Sequence, residues 1–597
     1  MKYKQYVTVS VCFLFLMILP SSVLSAPALY DDFSENYINN EKWYQQETVR
    51  EIANGKLVSK VKSNDRVRNH TDFQNPSTIF AIEVNVNVVE TDVSDGAVFA
   101  RVDGTFYNTQ ASGTGATGDV WAGIFLYDDG NGLKSYYEID EATSDDGSTF
   151  NIISSGSIAL ATLNFNQAYT LKIAYDDALN KITFSVGSDS VVVDDTSLPA
   201  KQRPAVFPSK SLTTGINDET SGSKYIYALF DDVYVNNDQG TVYDDFANGP
   251  LDQTKWQSLA FVTETENGKL RLAAQSSWNR ETARLTLRDF FTYTEGTVTI
   301  KSDSFINTKA SGRARIDASF YNDTYGPGEY NGYEGNVWAQ VYIDQYDDNT
   351  LEAKCYIERA TNADWSTFQE LYSHTFSMPI EFDKPYKLSI HFKGTAFVFR
   401  VTDIATSTEE TYEYPITTTD PNLAFDQGAS LVSRVYGNGS SGYMVTEWDD
   451  IHVSSEAAPA TYDAAGDWNV TTSNEWANGT CDLPGNSPAT ATITQKGNDV
   501  TLVVHGGGGD ETLEGLVFKN RYYFTRTSTD QNHTEIFYVR LNLSNATTGS
   551  GTVVIEQSEG DDVCYKGFDL TFNKTSGDAS GGGGGGGGGC FISTISE

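Results

Sequence analysis

Three short landmarks occur twice in this chain of 597 residues, at one fixed spacing. Tyr30-Asp31-Asp32-Phe33, Lys42-Trp43 and Asn54-Gly55-Lys56-Leu57 return 213 positions later as Tyr243-Asp244-Asp245-Phe246, Lys255-Trp256 and Asn267-Gly268-Lys269-Leu270. Further on, the stretch 101–108 returns as 315–322, 118–122 as 335–339 and 231–235 as 449–453, so the spacing drifts only to 218. Solenoid units repeat every 20–50 residues or so. A period this much longer is a duplicated domain. The repeat predicts like domains over residues 27–238 and 239–456, with a different domain after them.

Within each copy apolar and polar residues alternate, the period of a half-buried strand. Residues 79–89, 170–175 and 181–186 read this way, as do 297–301, 387–392 and 396–401. No stretch sustains a helical apolar period. Aromatic residues make up 13% of the chain, and Gly-Asn-Asp clusters punctuate it. Both favour strands and turns. The fold class is therefore all-β, with two sheets in each copy burying one face apiece.

The Asp-Asp-Phe opening, Lys-Trp, Asn-Gly-Lys-Leu and the closing Asp231-Asp232-Val233-Tyr234-Val235 resemble the concanavalin A-like lectin/glucanase superfamily. The resemblance covers both copies and implies two tandem jelly-roll β-sandwiches, each with a concave groove. It also implies a structural calcium shared by first and last strands. The expected ligands are Asp31, Asp32 and Asp232 in the first copy and Asp244, Asp245 and Asp450 in the second. The superfamily holds lectins, binding modules, hydrolases and lyases, so fold alone does not choose an activity.

Alternation sorts the groove candidates. Arg101, Asp103 and Tyr107 share one strand face, as do Arg315, Asp317 and Tyr321. The apolar alternates are expected to face the core. Trp121 and Trp338 begin the next strand. Glu138 and Asp140, matched by Tyr356 and Glu358, lie on the strand after that. Flat aromatic faces beside charged groups suit sugars. The same Arg–Asp pairs also read as structural ion pairs on a half-buried sheet.

Laminarinase-type hydrolases of this superfamily carry two catalytic glutamates four or five positions apart on one groove strand. Counting from Glu138, those positions hold Ala142 and Thr143, and Glu141 has the wrong parity. Tyr356 replaces the first glutamate in the second copy. The leading reading is thus non-catalytic binding of a polysaccharide or surface glycan. The alternatives are a hydrolase or lyase with another catalytic set, and a structural adhesion protein without a sugar ligand.

Residues 457–576 carry closely spaced strands that look like a small antiparallel lipocalin- or avidin-like barrel. Cys481 and Cys564 are its natural disulfide pair in an oxidising compartment. Residues 1–26 read as a signal peptide: Lys2 and Lys4, an apolar run from Val11 to Leu19, then small residues to Ala26. Export to the medium or cell surface follows. Residues 577–597 hold nine glycines before Cys590 and resemble bacterial sorting tags, with Cys590 as the attachment point. The net charge of −39 repels phosphate backbones, so nucleic acid is a poor partner.

Overall fold

A computed structural model describes residues 27–575 apart from short internal stretches, of which 325–332 and 479–488 are the longest. The expected signal peptide, the glycine tail with Cys590, and Cys481 lie outside the described residues. Cys564 is buried. No helix among the described residues is long and apolar enough to cross a membrane.

The chain is nearly all β. One 16-stranded sheet runs through both copies, and a seven-stranded sheet packs on each half of it. Between the layers lie two apolar cores. One gathers Val84, Val86, Ile173, Phe184, Val102 and Ile124, and the other gathers Leu388, Ile390, Phe399, Ile316 and Val341. Each core is filled by the inward alternates of facing strands, as the sequence period demands.

Packing crosses the expected boundary between the copies. Strand Ala28–Asp31 pairs with Gly442–Ser454, the last strand of the second copy, with Ala28 opposite Val453 and Asp31 opposite Ile451. Phe33, Ile38 and Trp43 are buried in the second core. Reciprocally, Asp244 bridges Val233, and Phe246, Leu251 and Trp256 are buried in the first core. Each opening segment therefore closes the sandwich made mostly by the other copy. The two plugs are built alike. Trp43 Nε1 donates to Asp31 Oδ2 at 2.8 Å, and Trp256 Nε1 donates to Asp244 Oδ2 at 2.6 Å.

The seam between the halves is also reciprocal. Strand Glu47–Ala53 pairs antiparallel with Phe261–Glu266, and Val49 sits opposite Val262, its own duplicate. An antiparallel strand facing its twin is self-complementary, as in a two-fold dimer interface. Arg271 clamps Glu51 across this seam with two contacts of 2.6 Å. Lys60 reaches Glu264 at 2.7 Å.

The exchange regroups the expected calcium ligands. Asp31 and Asp32 lie beside the closing strand that carries Asp450, and Asp244 and Asp245 beside the one that carries Asp232. Asp31 Oδ1 accepts the Phe33 N–H at 2.9 Å while Oδ2 takes the Trp43 indole. Asp244 does the same with Phe246 and Trp256. Asp232 Oδ2 accepts from Asn85 at 3.1 Å. Among the described residues no three acidic, His or Cys side chains gather into a metal-holding group. The donor sets do not fit the calcium that the resemblance implies.

The third domain is a closed eight-stranded antiparallel barrel, in which each strand pairs with its sequence neighbours and Asp562–Lys574 closes on Gly466–Asn478. Closure leaves no strand edge for unwanted pairing. Its interior is packed with Val470, Leu502, Phe537, Phe568 and other apolar side chains, and the remaining cavity is only about 10 Å³. A gap of that size holds at most one water.

Candidate functional site

The seven-stranded sheets carry the candidate grooves. In the second copy, strands Ser311–Asn322, Asn336–Gln345 and Leu351–Ala360 lie side by side, flanked by Ser430–Tyr436 and Arg280–Thr286. Their outward alternates converge on an open groove of about 910 Å³. Arg315, Asp317, Trp338, Tyr356 and Glu358 line it, as the alternation predicts. In the first copy Arg101, Asp103, Trp121, Glu138 and Asp140 occupy the matching positions by strand register.

Tyr107 and Tyr321 do not join them. A register shift falls between Thr105 and Tyr107, and another between Ser319 and Tyr321. The extra residue of each bulge inverts the parity beyond it. Tyr107 is consequently fully buried, stacks on Tyr175 at 5.0 Å and donates its hydroxyl hydrogen to Pro199 O at 3.0 Å. Tyr321 stacks on Phe392 at 5.5 Å in the second core. Both are core residues.

The Arg–Asp pairs form the groove floors. Arg101 Nε contacts Asp103 Oδ2 at 2.5 Å, and both residues are under 5% exposed. Asp103 also accepts from Ser211 at 2.9 Å and Thr213 at 3.1 Å. Burial works against its charge, but Arg101, His70 and the Ser211 hydroxyl hold the carboxyl below its ordinary value. Arg101 lies 5.0 Å from the Trp121 ring centroid, and Arg315 lies 4.8 Å from that of Trp338. Arg315 also pairs with Asp317 and donates to Gln340 Oε1 at 3.2 Å. These floors hold the tryptophans in place, with their rings half-exposed on the groove.

The walls differ between copies. In the first, burial and the neighbouring Glu138 push the Asp140 carboxyl up to about 7. Glu141 is turned aside, accepting from Thr109 Oγ1 at 2.5 Å. In the second, Arg280, Arg284, Arg313, Arg434 and Tyr436 line the groove beside Arg315. Burial tends to raise the Tyr436 phenol, but Arg434, Arg315 and Arg313 outweigh it and hold it below its ordinary value. At the mouth, Trp365 meets Tyr333 at 4.9 Å and Phe368 at 6.1 Å. Apart from Arg280, which the repeat matches to Arg66 and which suits a lyase's Arg-rich groove, reading the sequence strand by strand misses these residues. Arg313 was within reach, since it shares the parity of Arg315 and Asp317.

No protein family matches the chain, and no curated protein does. Several solved structures resemble parts of it weakly. A Scytalido-glutamic peptidase is 12% identical with a TM-score of 0.17, covering 42% of this chain and 95% of that one. A GlcNAcα1-4Gal-releasing endo-β-galactosidase from Clostridium perfringens is 9% identical with a TM-score of 0.22, covering 56% and 95%. The LG1-3 region of the laminin α2 chain is 10% identical with a TM-score of 0.13, covering 83% and 93%. Likenesses this weak carry no argument about activity, so function rests on the site.

Proposed function

We propose that the chain is an exported glycan-binding protein with two grooves, one on each concanavalin A-like sandwich. The observation that carries this reading is the open second groove, where the Trp338, Tyr356 and Trp365 rings stand beside charged and amide groups. Ring faces pack on sugar C–H groups, and forked or charged groups take the hydroxyls. The first groove repeats the pattern with Trp121, Glu138 and Asp140. If one polymer engages both, linkage tightens binding by roughly 10²–10⁴.

A second reading, a lyase, draws on Tyr436. Arg434 Nη1 donates to its hydroxyl oxygen at 2.9 Å, a contact that would stabilise negative charge there if the phenol served as a general base. The paired-glutamate hydrolase draws no support from either copy.

The test incubates the full chain with soluble and insoluble polysaccharides and scores retention and new chain ends in the same tubes. Retention without new ends supports the binding protein. New ends carrying an unsaturated sugar support the lyase instead. Trp121→Ala with Trp338→Ala should abolish retention while leaving the melting temperature nearly unchanged. Full retention by that double variant sinks the site assignment.

A further inference from the structure

The charge of the second groove is opposite to that of the chain. Five guanidiniums line it, from Arg280, Arg284, Arg313, Arg315 and Arg434, against the carboxylates of Asp317 and Glu358. The net charge of the whole chain is −39. Asp317 is spent on Arg315 at the floor. Arg313 is forked on Asp344 at 2.7 and 3.1 Å. Among the described residues, no carboxylate stands within ion-pair reach of Arg280, Arg284 or Arg434.

Arg434 is the most telling of these. It is only 6% exposed, yet its hydrogen bonds go to neutral groups, Thr282 Oγ1 at 3.0 Å and the Tyr436 hydroxyl at 2.9 Å. Its Nη2 has no hydrogen-bond partner among the described residues. Asp317 and Glu358 act on Arg434 only from beyond ion-pair distance, so its charge is poorly compensated, which is costly in a buried place.

The first copy supplies an internal control. Strand register matches Arg101 with Arg315, so the residues flanking them correspond. Arg313 then corresponds to Phe99, Arg434 to Gly215 and Arg284 to His70. The first groove keeps guanidiniums of its own, Arg68 at the match of Thr282 and Arg66 at the match of Arg280, but it closes the same sheet without counterparts of Arg284, Arg313 and Arg434. The shared fold therefore does not require them, and their gathering in one groove calls for a ligand.

We infer that the groove of the second sandwich binds an acidic glycan, with Arg284 and Arg434 taking its carboxylate or sulfate groups and Trp338, Tyr356 and Trp365 packing on its rings. This rests on the glycan reading above and narrows it to one ligand chemistry for one groove. Arg280, exposed at the edge, adds attraction for the incoming chain. The electrostatics agree. Burial brings the Arg315 guanidinium down to about 10, with Arg434 and Arg284 adding to the effect. Burial, with Arg280 nearby, also holds Arg434 below its ordinary value. A bound anion relieves both.

The experiment measures affinity of the full chain by calorimetry for four soluble polymers: a polyuronate, a sulfated glucan, a neutral glucan and polyglutamate. Each is repeated with Arg434→Gln, Arg284→His and Arg280→Gln. At least one acidic glycan should bind roughly tenfold or more tighter than the neutral glucan, and each variant should lower that preference severalfold. The polyuronate and sulfated arms separate carboxylate from sulfate recognition. Raising the salt should erode the preference. Arg280→Gln keeps the test decisive if substitution of buried Arg434 unfolds the protein. Equal affinity for acidic and neutral glucans, or a preference unchanged by all three variants, overturns the inference. Polyglutamate binding as tightly as the acidic glycans keeps the anion site but refutes the glycan reading beneath it.

Discussion

The exchange of opening segments makes a prediction that the sequence repeat alone does not. Trp43 is fully buried, packs edge-on against Tyr30 at 5.5 Å and stacks near Phe33 at 5.7 Å. Its indole N–H satisfies Asp31 Oδ2. Truncating a buried tryptophan to alanine costs about 3–5 kcal/mol, and the orphaned carboxylate adds to that. A loss of about 4 kcal/mol raises local opening by roughly 10³-fold. In Trp43→Ala that opening should appear in the second sandwich, where Trp43 is buried with Leu270, Leu388, Ile390 and Trp448. Hydrogen exchange read by mass spectrometry on the full chain locates it. Protection should fall in Pro385–Phe392 and Ala396–Asp403, which are more than 300 residues away. It should persist in Ala81–Asp92 and Ala168–Asp176 of the first copy. Trp256→Ala should give the mirror result. Loss of protection in the first copy alone on replacing Trp43 would refute the exchange and restore two sequential sandwiches.

Other consequences can be measured on the same protein. Asp140 holds its proton up to about 7, against 3.8 for an ordinary Asp, because of burial and Glu138. The folded state binds the extra proton across that window, so stability falls as pH rises from about 4 through about 7. Asp140→Asn should flatten that slope, raising the melting temperature more at about pH 8 than at about pH 5; an equal gain at both would disprove the linkage. Cys355 is buried and its thiol is pushed up to about 12 by that burial, so a disulfide reagent should leave it unmodified until the protein unfolds. Rapid labelling in the native state would contradict its place in the second core. EDTA should change neither melting temperature nor glycan retention, since Asp31 and Asp244 are committed to indole and backbone donors. A drop of several degrees that calcium reverses would show that those carboxylates hold a metal.

The fold class and the duplication were legible because both are written locally. Strand alternation needs a few residues, and the Asp-Asp-Phe and Lys-Trp landmarks need only to be counted. The exchange was not legible, and the reason is physical. Phe33 and Trp43 have twins in Phe246 and Trp256, so either segment supplies the shape and hydrogen bonds that either core requires. The sequence is degenerate between closing its own sandwich and closing its neighbour's. What distinguishes the two is where the chain can run, and the seam at Val49 and Val262 sets that by bringing the equivalent strands edge to edge. The expected grouping of the calcium ligands differs from the structure for the same reason, because it paired each opening Asp set with the closing strand of its own copy.

Parity reading placed Arg315, Asp317, Trp338, Tyr356 and Glu358 together because unbroken pairing carries them across three adjacent strands. It misplaced Tyr107 and Tyr321 because a bulge adds one residue without any mark in composition. It passed over Arg434 because Ser430–Tyr436 mixes Val432 into its groove face and shows no clean alternation. The duplication compensates once register is known. Substitutions between copies at floor positions are conservative, with Arg101 and Arg315, Asp103 and Asp317, and Trp121 and Trp338 all matched. Substitutions on the walls change charge, from Phe99 to Arg313, from Gly215 to Arg434 and from Glu138 to Tyr356. The reverse change also occurs, from Arg68 to Thr282, and Arg66 is matched by Arg280, so the second groove gains guanidiniums on balance over a floor that keeps its chemistry. The preference for acidic over neutral glycan should therefore be weaker in the first groove, where Glu138 stands against Arg66 and Arg68 and no counterparts of Arg284, Arg313 and Arg434 are present.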